Sequence, residues 1–249
     1  MSSPGRLRFR PALVFAIVAA VLAMAAVAVI APHPSDNDVV QTIPDSGQIM
    51  LVENFEAHRG GRPWRDGERH GQWRAVYDGY GTTRISTEGR HRLTMSPRSA
   101  SDPQVTHGGL VTTVREFGDI DVTTQMRTVR QLRSGSANSW EVAWLLWHYT
   151  DDHHFYSIVL KPNGWELGKE DPAYPGSQRY LATGDTPVFP IGILHTVQVR
   201  QVKNSMAVWA NGDLLATYTD NERPYSGGRI GLYTEDAQVA FDSVVVRRP

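Results

Sequence analysis

Between Ser139 and Glu170 the sequence reads S-W-E-V-A-W-L-L-W-H-Y-T-D-D-H-H-F-Y-S-I-V-L-K-P-N-G-W-E-L-G-K-E. Three short runs of β-branched, aromatic and aliphatic residues are separated by Asp151-Asp152 and Asn163-Gly164, dipeptides that suit the tight turns joining antiparallel strands. The spacing predicts a three-stranded meander. With each dipeptide as a two-residue loop, Tyr149 faces His154, Trp147 faces Tyr156, Leu145 faces Ile158, Ala143 faces Leu160 and Leu160 faces Leu167. Side chains alternate along a strand, so these residues share one face, nearly all apolar, which reads as core. The opposite face carries Trp140, Val142, Trp144, Leu146 and His148, then Phe155, Ser157, Val159 and Lys161, then Glu166, Gly168 and Glu170. On it, the small Ser157 and Gly168 leave room beside Trp144, and Lys161 and Glu166 form a cross-strand pair of opposite charge. This second face is the expected floor of a ligand groove. A plain sandwich core with a solvated ion pair is the alternative.

The rest of the chain follows the same pattern. Residues 50–56, 72–77, 82–86, 90–95, 109–114 and 119–130 are short strand-like runs broken by glycine, proline, serine or aspartate. Past the meander come 193–202, 205–210 and 213–219, the last two joined by the hairpin dipeptide Asn211-Gly212, then 228–234 and 238–246. No window keeps a 3.6-residue apolar period, so about a dozen antiparallel strands in one domain predict an all-β sandwich of jelly-roll type.

Ahead of this domain, Arg6, Arg8 and Arg10 precede an uninterrupted apolar run from Ala12 to Ala31. The run is long enough to cross a bilayer as a helix, and the arginines keep its N-terminal side cytoplasmic. The expected organisation is a basic tail over 1–10, a signal anchor over 11–31, a proline-rich polar linker over 32–47 and the β-domain over 48–249. Ala26-Val27-Ala28 also resembles a small-residue cleavage site, which leaves secretion after cleavage as the alternative. Without the three N-terminal arginines, 22 of the 25 basic residues stand against 26 acidic ones. A net charge near −4, scattered along the chain, argues against nucleic acid as a partner. The sequence has no cysteine, so the core alone must hold the domain.

Sugar rings pack apolar faces on indole and present hydroxyl edges to charged or amide partners. Trp140, Trp144, His148, Ser157, Lys161 and Glu166 supply both kinds of surface, and Gln178 and Arg179, read as part of a loop over 171–180, are placed to close one end. His148 and Glu166 are the candidate acid and base. Asp151-Asp152-His153-His154 holds metal-ligand types, but adjacent histidines on a strand point to opposite faces.

The closing run G-R-I-G-L-Y-T-E-D-A-Q-V-A-F-D-S-V-V-V (228–246), the run H-T-V-Q-V-R-Q-V-K-N-S-M-A-V-W-A-N-G-D-L-L-A-T-Y-T-D (195–220) and the opening V-E-N-F-E (52–56) resemble the concanavalin A-like lectin/glucanase superfamily. Within it the chain is most similar to laminin-G-like and 3-keto-disaccharide hydrolase-type domains, related to glycoside hydrolase 16, of exported bacterial proteins. The resemblance implies a jelly roll that binds a glycan or cell-envelope polysaccharide. It also implies a structural calcium near Glu53 and Asp242. It leaves open whether the domain acts on glycosidic bonds or is a non-catalytic envelope or interaction module. The Glu-x-Asp-x-x-Glu strand of family 16 glucanases is absent. Glu166 and Glu170 share a face but lie about 13 Å apart by strand rise, against the about 5–5.5 Å a retaining pair needs.

Overall fold

A computed structural model describes residues 47–249 apart from residue 103, and those residues form sixteen strands and no helix. After β1 (Ile49–Glu53) come β2 (Arg69–His70), β3 (Trp73–Tyr77), β4 (Thr82–Ser86), β5 (Arg92–Ser96) and β6 (Gly108–Thr113). A long β7 (Ile120–Gln131) leads into the meander β8 (Ala143–Asp151), β9 (His154–Lys161) and β10 (Gly164–Glu170), which β11 (Gln178–Gly184) extends. The chain closes through β12 (His195–Val202), β13 (Ser205–Ala210), β14 (Asp213–Thr219), β15 (Arg229–Glu235) and β16 (Ala237–Arg247).

These strands make two antiparallel sheets. The first runs β14-β13-β12-β7-β16-β5-β4, with β1 also on β16, and the second runs β11-β10-β9-β8-β15-β6-β3-β2. Alternation in the sequence decides which side chains meet between them. In β12, Val197 and Val199 turn inward while Thr196, Gln198 and Arg200 turn out. The inward residues join Trp73, Leu93, Met95, Trp147, Tyr156, Leu167 and Phe241 in one buried cluster. Each large apolar side chain removed from water contributes about 1.5–3 kcal/mol, which is how a cysteine-free domain is held. Trp147 keeps its polar edge satisfied by donating to Gln201 Oε1 at 2.6 Å.

The meander forms with two adjustments. At the β9–β10 turn, Pro162 and Asn163 occupy the loop and Gly164 pairs with Lys161, so Leu160 faces Trp165 rather than Leu167. The slip is two residues, which preserves parity, so every side chain of β10 keeps its expected face. At the β8–β9 turn, Trp147 faces Tyr156 as expected, but the strand bulges at His148, where φ is +50°, and Asp151 rather than Tyr149 pairs with His154. Three residues of β8, 148–150, stand there against Phe155 alone, and such a bulge re-aims the side chains within it. Tyr149 therefore sits on the outer face, stacked on Phe155 at 6.1 Å.

No helix among the described residues is long and apolar enough to cross a membrane. The anchor expected over 11–31 and the linker up to residue 46 fall outside the described residues.

Candidate functional site

The outer face of the second sheet carries a separate buried cluster of Leu110, Val142, Trp144, Leu146, Tyr149, Phe155, Val159 and Tyr233, with Tyr77 and Trp140 packed against it. One cross-strand row runs Tyr77, Leu110, Tyr233, Trp144, Val159 and Glu166. The next runs Gly231, Leu146, Ser157, Gly168 and Tyr180. Lys161 Nζ donates to Glu166 Oε1, diagonally across the β9–β10 turn. Tyr180 is 54% exposed at the rim.

Polar groups ring this apolar floor. Tyr77 and Tyr149 both donate their hydroxyls to Asp152 Oδ1, at 3.1 and 2.9 Å. Tyr233 donates to Glu235 Oε1 at 2.8 Å. Gly108 makes room for that hydroxyl, since a Cβ there would lie 2.8 Å from it. Burial pushes Tyr77, Tyr149 and Tyr233 above the usual phenol range, so all three remain donors at neutral pH. Behind Glu235, Arg133 bridges Glu141 and Asp236, the latter at 2.8 Å, and binds the Asp102 and Val105 carbonyls, fixing the neighbouring loops.

Three buried polar atoms on this face have no protein partner: Trp140 Nε1, Glu170 Oε2 and Glu235 Oε2. Folded proteins rarely leave buried polar atoms unpaired. Burial pushes the Glu170 carboxyl up to about 8, with repulsion from the Glu235 carboxylate adding to it. Glu235, 6% exposed, is pushed up to about 7 by burial, held back by the Tyr233 hydroxyl and raised again by Asp236 and Glu141. Carboxyls in this range exchange protons near neutral pH, which ordinary surface carboxylates do not. The arrangement therefore offers an indole donor, tyrosine hydroxyls and two proton-transfer carboxyls over an apolar floor.

The residues expected at the site divide between the two faces. Trp140, Trp144, Ser157, Lys161, Glu166 and Gln178 lie on the outer face. Trp144, however, is only 6% exposed, its indole donating to the Trp140 carbonyl at 2.8 Å and meeting Tyr233 edge-on. The half-buried Trp140 and exposed Tyr180 are the accessible rings instead. His148 does not join Glu166. The bulge turns it to the other side, where it lies between the Gly118 and Tyr225 carbonyls, each at 2.9 Å, with its ring against Tyr156. Gln178 and Arg179 both belong to β11 rather than to a loop, and alternation sends Arg179 away from the face to Tyr174, Tyr218 and Glu222.

Glu53 and Asp242 do not fit a calcium site. Glu53 accepts from Phe55 N, His58 and Trp73, and Asp242 is bridged by Arg90 and Arg92. His154 pairs with Asp151, and no cluster of three metal-ligating side chains occurs among the described residues. Glu235, Tyr233, Tyr77 and Tyr180 were not singled out from sequence. The alternation of 231, 233 and 235 marks a shared face, but only the pairing of β15 beside β8 brings it to the meander.

A family model described as a 3-keto-alpha-glucoside-1,2-lyase-like domain matches residues 60–247. No curated protein matches the chain. Among solved structures, the carbohydrate binding module CBM66 from Bacillus subtilis aligns with a TM-score of 0.53 at 14% identity, covering 71% of this chain and 95% of that one. SCLam, a non-specific endo-beta-1,3(4)-glucanase from family GH16, aligns at 0.55 and 12%, covering 83% and 93%. A Bacillus licheniformis beta-glucanase aligns at 0.51 and 14%, covering 82% and 100%. At these identities the likeness is one of fold, the concanavalin A-like jelly roll expected from the sequence.

Proposed function

The chain belongs to the 3-keto-alpha-glucoside-1,2-lyase-like family, and we propose that it is an exported, membrane-tethered domain that takes a keto-sugar glycoside on the outer face of its second sheet. The observation that carries this reading is the presence of three unpartnered buried polar atoms, Trp140 Nε1, Glu170 Oε2 and Glu235 Oε2, on one aromatic-floored face. The apolar run over 12–31 behind its arginines supports the tether.

The chemistry follows from the two carboxyls. A ketone at C3 of a glucoside acidifies the proton on C2. Glu235, the more acidic group, is the base that removes that proton; the electron pair forms the C1=C2 bond and the C1–O bond breaks. Glu170, still protonated at pH 7.5, donates its proton to the departing oxygen. The products are an unsaturated keto-sugar and a free alcohol, and no nucleophile at C1 is required. This accounts for a face with two titrating carboxyls.

The test compares a 3-keto-α-glucoside with its unoxidised parent. Release of the alcohol with ultraviolet absorbance of the enone is expected from the oxidised sugar alone, falling at least a hundredfold in Glu235→Gln, as loss of a general base does. Equal release by the glutamine variant rejects the proton-transfer role. Binding of both sugars without release leaves a non-catalytic glycan-binding module.

A further inference from the structure

Away from the glycan face, a cavity of about 620 Å³ opens where the chain enters the domain, lined by Met50, Arg115, Phe117, Arg200, Val202 and Arg248. Three arginines, two acidic side chains and the last residue, Pro249, contribute to its lining. The guanidinium groups of Arg200 and Arg248 have no hydrogen-bond or ion-pair partner among the described residues, and Arg115 lies over the Phe117 ring with one nitrogen on the Met50 carbonyl. Two acidic residues also line it. Glu116 is neutralised by Arg229 at 2.7 Å, and Asp119 accepts from the Lys203 amide at 2.7 Å. With Glu116 paired to Arg229, three guanidinium groups stand against Asp119 and the Pro249 end, a small positive excess that suits an anion.

The position of the cavity identifies the anion's source. Gln48 accepts from the Arg248 amide at 2.9 Å, and a Cβ on Gly47 would fall 1.6 Å from the Arg248 carbonyl. The linker is therefore pressed against the cavity rim as it enters. The sixteen residues 32–47 separate this point from the apolar run, a length of chain that spans at most about 50–58 Å. That holds the cavity at high effective concentration beside whatever surface the apolar run is anchored in.

We infer that this arginine-lined cavity docks the phosphate headgroups of anionic phospholipids in the tethering membrane, fixing the domain with its membrane side at the β12 end. The inference rests on the tether reading, and it is independent of the glycan face. Docking at this end gives the tethered domain a defined orientation.

The test uses the full chain reconstituted in nanodiscs of phosphatidylcholine alone or mixed with phosphatidylglycerol. With no native cysteine, Val202→Cys places a single fluorescent label at the cavity, and Leu214→Cys places one at the far end of the neighbouring hairpin. A headgroup-borne quencher is expected to reach the label at 202 and not at 214, only in the anionic discs, and less so in high salt. Arg200→Gln and Arg248→Gln should each weaken that contact about fivefold. Equal quenching in neutral discs, or quenching indifferent to both arginines, overturns the docking. Shielding of the 202 label from a soluble quencher that disappears on substituting Asp36, Asp38 and Asp45 puts the acidic linker in the cavity and overturns it as well. A chain stripped from the discs by alkaline wash overturns tether and docking together, whereas a retained chain without contact at 202 overturns the docking alone.

Discussion

Replacing Glu235 by glutamine isolates the physical feature on which the site depends, a carboxyl held out of water. In the folded chain its proton is released at about 7 rather than at the ordinary 4.5, because burial penalises the charged form. Below pH 4.5 both folded and unfolded chains hold the proton. Between 4.5 and 7 only the folded chain holds it, so stability falls as pH rises through this window. At about 1.4 kcal/mol for each tenfold change in proton affinity, the loss amounts to about 3 kcal/mol. Glutamine has nearly the same shape and its carbonyl still accepts from Tyr233, but it carries no charge to bury. Urea unfolding at pH 5 and pH 8 reads the difference directly. With a slope of about 2–3 kcal/mol per molar, the parent's midpoint should fall by about 1 M more than the variant's over that range. Equal pH dependence in the two proteins would mean that Glu235 ionises as a surface carboxylate does, and the proton-transfer reading would lose its base.

Three further outcomes are expected. Trp140→Phe keeps the ring and removes the unpartnered donor, so keto-sugar affinity should drop about fivefold by calorimetry while thermal stability stays within error. Lys169→Met should cost about 3–5 kcal/mol in urea unfolding, because the fully buried Asp220 would lose its 2.7 Å ammonium partner. If Glu235 acts deprotonated and Glu170 protonated, alcohol release should follow a bell-shaped pH profile with limbs near 7 and 8. The upper limb should vanish in Glu170→Gln, and its persistence there would assign that limb to another group.

Much of this molecule was legible in the chain because side-chain alternation is a local property. Val142, Trp144, Leu146, Phe155 and Val159 sorted to the outer face from spacing alone, and the two-residue slip at Pro162-Asn163 changed the β10 partners of Phe155 and Val159 without changing their side. His148 was misplaced because a bulge depends on what surrounds the strand. Here the Gly118 and Tyr225 carbonyls, from distant segments, hold the imidazole across the kink. The proton-transfer carboxyls were hidden for a related reason. Glu170 was placed on the correct face without a role, since its burial depends on loops that alternation does not describe. Glu235 comes from a strand more than sixty residues beyond the meander, joined to it only by sheet pairing. Trp144 looked like an open platform because the sequence gives no sign that Tyr233 closes against it.

The most direct test of the glycan face is an indole nitrogen–proton spectrum recorded during titration with a 3-keto-α-glucoside. Trp73, Trp147 and Trp165 already donate to Glu53, Gln201 and the Thr186 carbonyl, so their resonances should hold still. The Trp140 resonance should shift in proportion to bound sugar and be missing from the Trp140→Phe variant. Saturable binding that leaves Trp140 unmoved would contradict the assignment of the sugar to this face.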